Sequence, residues 1–131
     1  MSSILLSINP EYVNKIFLGI KKYEFRKTIC KESIDKIVIY STYPVMKVVG
    51  EVKVEESLVY SPKVIWNLTK EYSGVSADFF DEYYSGKKQA VAYKLGEIKK
   101  YDNPKELSEF GILQAPQSFV YLNTKKLLEN F

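Results

Sequence analysis

The 131-residue sequence has no histidine, one cysteine and one arginine, Arg26, against eighteen lysines. Without histidine there is no Ser-His-Asp or Cys-His nucleophile system, no imidazole general base and no His-ligated zinc. A single cysteine, Cys30, allows neither an intramolecular disulfide nor a CxxC pair, which suits a reducing compartment. No Asp/Glu run has the spacing of a calcium loop or a magnesium site, so no metal and no cofactor is expected. No apolar run approaches the ~20 residues that cross a bilayer. The stretch from Met1 to Leu6 lacks the charged start and long apolar core of a signal peptide. These absences lead us to expect a cytoplasmic protein with no membrane partner.

What is present describes a folded domain. Hydrophobic residues make up 46% and charged residues 27%, ordinary values for a globular chain. The length predicts one domain over residues 1–131, able to bury roughly two-thirds of its unfolded surface. The net charge of +3 is too small to coat nucleic acid by electrostatics alone. It is concentrated, however. Between Lys15 and Lys36 there are seven cations and only three carboxylates, Glu24, Glu32 and Asp35. Such a surface suits a phosphate-bearing ligand, and equally a solvated lysine-rich face.

Local signals order the elements. Ser3 to Ile8 reads as a strand. Asn9-Pro10-Glu11 then combines a cap, a first-turn proline and an acidic residue at the positive end of a helix dipole, predicting a helix over 10–18 that Gly19 stops. Lys22 to Ile29 alternates as a strand, with Tyr23 and Phe25 on one face and Lys22, Glu24 and Arg26 on the other. In Ile34 to Ser41, the consecutive Ile37, Val38 and Ile39 predict burial on both faces. Met46 to Tyr60 is a long strand in which Gly50 marks a bulge or bend. Ser61-Pro62 and Ser76 open two further helices. Gln89 to Tyr101 and Ser118 to Leu122 return to strand, and Asn123 caps a last helix. Many strands, few helices and a bent long strand predict an α+β domain built as a small β-barrel flanked by short helices.

One segment carries chemistry. Gly19 to Arg26 reads G-x-K-x-x-E-x-R. The glycine turns the chain tightly out of a helix and sets Lys21 at the mouth of the turn. Glu24 and Arg26, two apart on a strand, project from one face about 7 Å apart at Cα. A carboxylate that holds donors in place, beside a guanidinium that grips an anion bidentately, can organise a site. The plain alternative is a surface ion pair worth ~0–1 kcal/mol. A chain that otherwise uses lysine places its one arginine where a planar fork matters.

This segment resembles the signature of the ASCH domain family, within the PUA-like barrels. Lys36 to Pro44, Val49-Gly50-Glu51-Val52 and Pro116 to Leu122 resemble further strands of that family in the same order, so the likeness spans residues 3–122. The resemblance implies a PUA-like barrel with a ligand cleft under the G-x-K-x-x-E-x-R turn, and RNA or a nucleotide-derived small molecule as partner. It would line the cleft with Lys21, Glu24 and Arg26. Ser41 and Thr42, before Pro44, and Glu51 are weaker candidates. Ser41-Thr42 also suits turn chemistry, and Glu51 a solvated strand.

Some ASCH proteins are amidohydrolases acting on N4-acetylcytidine through a lysine-activated threonine. Here Lys21 matches the lysine, but Glu24 stands where the threonine would be. Others cleave RNA, and Lys21 with Glu24 would serve a metal-independent hydrolase of that kind. A third possibility is an accessory module of a transcriptional regulator. For stacking a base, Tyr23, Tyr40, Tyr43 and Tyr93 are candidates. Phe79, Phe80, Tyr83 and Tyr84, at helical spacing, are assigned to the core, and Cys30 to no role.

Overall fold

The computed structural model describes residues 2–122. Six strands form one mixed sheet: β1 (Ser2–Ile8), β2 (Tyr23–Arg26), β3 (Ile34–Ser41), β4 (Lys47–Tyr60), β5 (Ala90–Lys105) and β6 (Phe119–Leu122). Three short helices accompany them: α1 (Pro10–Phe17), α2 (Pro62–Thr69) and α3 (Ala77–Tyr83). The expected helix after Asn123 lies outside the described residues.

The sheet order is β2-β5-β4-β3-β1-β6. β1 runs parallel to β3, and the other pairings are antiparallel. Both faces are covered, which explains the unbroken apolar run in β3. Ile37 and Ile39 enter the main core with Ile4, Leu6, Ile8, Val13, Ile16, Val91 and Tyr93. Val38 and Tyr40 pack on the opposite face with Leu5 and Val48. A third cluster joins the helices to the sheet through Phe25, Ile65, Phe80, Tyr84, Ala90 and Ala92.

The helices start where their caps predict. The side chains of Asn9, Ser61 and Ser76 accept from the backbone N–H groups of Glu11, Val64 and Phe79, each cap contributing about 1 kcal/mol. Gly50 sits at a register irregularity of β4 against both β3 and β5, and a side chain there would meet the Lys99 carbonyl oxygen at 2.6 Å. It is the bulge its place in a long strand implied.

Two strand limits differ from expectation, for one reason. β2 ends at Arg26 rather than Ile29 because its partner β5 begins at Ala90, and Arg26 pairs with Val91. β5 runs on to Lys105 because Val48 of β4 still pairs there. Partners, not local alternation, decide where a strand stops.

The α+β class holds, and the curl is barrel-like, but the sheet does not close by hydrogen bonding. β2 and β6 are its two edges among the described residues. Curling nevertheless brings β2 back to β1: the Arg26 Nη2 donates to the carbonyl oxygen of Ser7 at 2.9 Å. A side chain spans the seam that a ladder would otherwise fill.

Candidate functional site

The turn after α1 places the first site residue. Gly19 has φ +80°, the left-handed geometry glycine takes without strain. The N–H groups of Ile20 and Lys21 then both donate to the Lys15 carbonyl at 3.1 Å, wrapping the chain back on the helix. This wrap turns Lys21 inward, and the residue is only 2% exposed. Its Nζ donates to the Ser73 carbonyl at 2.7 Å and lies 4.8 Å from the Phe25 ring centroid and 5.3 Å from that of Tyr12. Burial pushes the ammonium down to about 8, against the opposing pull of the Glu24 charge, with Lys15 and Arg26 adding to the depression.

Glu24 and Arg26 meet as the strand spacing predicts. The Arg26 Nη2 donates to Glu24 Oε2 at 2.9 Å, the same nitrogen that reaches Ser7. Glu24 is buried, so this is no exposed surface pair. The Arg26 Nε is buried with no hydrogen-bond partner among the described residues. A donor left bare in this way costs about 1–3 kcal/mol and is a place for an acceptor from outside the chain.

These three residues share one cavity of about 190 Å3. Ser7 and Asn9 complete its polar surface, while Ile8, Tyr12, Phe25, Val75, Phe79, Phe80 and Tyr83 wall it. The volume is that of roughly six water molecules, room for one flat ring. Phe79 and Tyr83 lie parallel, 10° apart with centroids at 6.1 Å, and Tyr12 meets Phe79 at 5.7 Å. Burial, the main cause in each case, raises the Tyr12 and Tyr83 phenols above their ordinary range, so both remain neutral donors at physiological pH.

The other sequence candidates are elsewhere. Ser41 is buried at the end of β3, outside the cavity lining. The Thr42 N–H donates to the carbonyl of Ile8, a lining residue, but Thr42 itself does not line the cavity. Glu51 accepts from the Tyr101 hydroxyl at 2.7 Å and pairs with Lys36 at 3.6 Å, and does not join the others. None of Tyr23, Tyr40, Tyr43 and Tyr93 lines the cavity. Tyr93 meets the thiol of Cys30 at 3.1 Å, and burial pushes that thiol up, away from nucleophilic use.

Sequence reasoning missed Tyr12, Phe79 and Tyr83, and the signal was available. Residues 79/83 and 80/84 form two stripes about 100° apart on a helix, too wide for all four rings to face one core. Phe80 and Tyr84 are buried in the core, Phe80 also touching the cavity, while Phe79 and the half-buried Tyr83 face the cavity as wall. It also read Ser73-Gly74 only as a helix stop. Gly74 has φ +71°, and a side chain there would stand 2.6 Å from the Lys21 stem. Lys15 Nζ holds the Gly74 carbonyl at 3.0 Å.

Comparison with known proteins bears on this arrangement. No protein-family model matches the chain. Over 121 residues it is 33% identical to the large ribosomal subunit protein uL22 of Ureaplasma parvum and 32% identical to the ATP synthase subunit alpha of that organism. These matches cover 92% of the chain but only 39% and 15% of the respective relatives, so the chain spans a minor part of either. An ASCH domain-containing ribonuclease of Zymomonas mobilis is 28% identical over 131 residues, covering 95% of the chain and 88% of the relative. The crystal structure of the ASCH protein from Zymomonas mobilis superposes with a TM-score of 0.86 at 25% identity, covering 98% of this chain and 94% of that one. A tyrosine-to-phenylalanine variant of the same protein superposes at 0.88 with 24% identity, covering 99% and 96%. These likenesses, near-complete in coverage and close in structure, support an ASCH domain in this chain.

Proposed function

We propose that the chain is an RNA-binding module that takes one nucleotide unit of a single strand into the cavity between β2, α1 and α3. The observation that supports this is the pairing, in a ring-sized space, of aromatic walls with a floor of buried Lys21 and Glu24 and half-buried Arg26. A base stacks on such walls at about 1–3 kcal/mol. The carboxylate of Glu24 accepts from an exocyclic amino group, while Lys21 and Arg26 donate to ring or carbonyl acceptors. The test is fluorescence anisotropy with short single-stranded RNA against duplex RNA and single-stranded DNA. Tyr12→Ala and Phe79→Ala should weaken RNA binding by the loss of stacking. Equal affinity of wild type and both variants would remove the cavity from the interface.

A second reading, cleavage of the bound RNA, is favoured by the relative named a ribonuclease, which is similar over nearly the whole chain. Here Glu24 takes the proton from a 2′-hydroxyl, the 2′-oxygen attacks phosphorus, and the 5′-oxygen departs with a proton from Lys21. The products are a 2′,3′-cyclic phosphate and a 5′-hydroxyl. An ammonium brought down to about 8 is a better acid than a solvated lysine. Incubation of wild type and Lys21→Ala with labelled RNA, in the presence of chelator, tests it: cyclic-phosphate ends from wild type alone support cleavage, and intact RNA from both leaves binding.

A further inference from the structure

A second pocket, of about 390 Å3, lies on the other side of Arg26 and Tyr83. Those two residues line both spaces, so they form the partition between them. The chemistry changes across it. The cavity has a carboxylate and a mostly aromatic wall. The second pocket is completed by Lys27, Thr28, Gln117 and Ser118: a second cation, two hydroxyls and an amide, with no carboxylate among the described lining residues. Lys27 Nζ, though exposed, sits over the partition, 4.5 Å from the Tyr83 centroid. In the partition itself, Arg26 Nε has no partner among the described residues.

We propose that this pocket, astride the gap between the end of β2 and the start of β6, is a phosphodiester subsite for the nucleotide whose base enters the cavity. The proposal rests on the RNA-binding reading above and extends it to residues outside the turn motif. Lys27 and the Arg26 guanidinium, whose Nη2 is paired with Glu24 on the cavity side, together with hydroxyl and amide donors make a site for a tetrahedral anion. A ring seated on one side of Arg26 leaves its own phosphate on the other, so the guanidinium is shared between base and backbone. Lys27 is the point charge, and Thr28, Gln117 and Ser118 are donors that fix the oxygens.

The test is the salt dependence of binding to a short single-stranded RNA. Lys27→Gln is compared with Lys63→Gln, a lysine exposed on α2, and with Ser118→Ala. All three side chains are exposed, so the fold is not at issue. Lys27→Gln should reduce the slope of log affinity against log salt by about 0.7, which is roughly fourfold weaker binding near 0.15 M salt. Lys63→Gln should leave both unchanged. Ser118→Ala should weaken binding roughly fivefold with an unchanged slope, because it removes a donor and no charge. If RNA does not bind wild type, the cavity reading falls and this subsite with it. If RNA binds and Lys27→Gln behaves like Lys63→Gln, the subsite alone falls. A reduced slope in Lys27→Gln with no effect of Ser118→Ala also overturns it, since the lysine then acts at long range.

Discussion

The stem of Lys21 lies against Gly74 at a distance where no side chain fits, and its Nζ bonds to the carbonyl of the preceding residue, Ser73. A lysine from the turn after α1 is thus clamped by a backbone loop some fifty residues later. The loop is itself fastened by Lys15 through the Gly74 carbonyl.

Gly74→Ala therefore removes the clamp in two ways. The left-handed backbone costs a β-carbon about 1–2 kcal/mol, and the methyl group displaces the Lys21 stem. Loss of about 1–3 kcal/mol of stability is expected in denaturant melts. A lysine expelled toward water should also titrate closer to its ordinary value. Full stability with an unmoved Lys21 would show that the loop yields freely.

Lys21 should titrate near pH 8, read from the carbon-13 shift of its Cε. Because folding disfavours the charged form, its penalty is fully present below about pH 8. Stability should therefore rise as pH climbs from 8 to the ordinary lysine range, where the unfolded chain binds the extra proton. Glu24→Gln removes the charge that opposes the depression and should move the midpoint lower still. A midpoint that stays above 10 in the wild type would mean that the amine is solvated.

Arg26→Lys should not behave as a conservative change. The ammonium is a point donor and cannot reproduce the fork that meets Glu24 and Ser7. With Glu24 buried beside it, a loss of about 1–3 kcal/mol is expected, together with weaker RNA binding. Unaltered thermal stability would mean that the seam does not depend on the guanidinium.

The two aromatic stripes of α3 should separate in their effects. Phe80→Ala opens a core cavity and should cost about 3–5 kcal/mol. Phe79→Ala, at an exposed wall position, should leave stability within about 1 kcal/mol and act on ligand affinity instead. Equal destabilisation by both would assign Phe79 to the core.

Much of this was legible along the chain. The succession of strands and helices, the caps and the Gly50 bulge are local events, written in residues a few positions apart. So is the meeting of Glu24 with Arg26, two apart on a strand. What escaped depends on distant partners. Ser7 contributes a backbone oxygen, which no side-chain pattern encodes. Gly74 matters because Lys21 passes it, and Gln117 and Ser118 share a pocket with Arg26 only because the sheet curls. Glu51 drew notice as part of a resembling strand, yet faces Tyr101 and Lys36.

The seam between β2 and β1 has a mechanical consequence. A run of paired strands opens only by breaking several hydrogen bonds together, whereas this junction relies on the grip of a guanidinium on one carbonyl. An acceptor arriving in the cavity competes for the same nitrogens. Filling the site and loosening the wall then become one event, and the protein's stiffness along this line is set by what it holds.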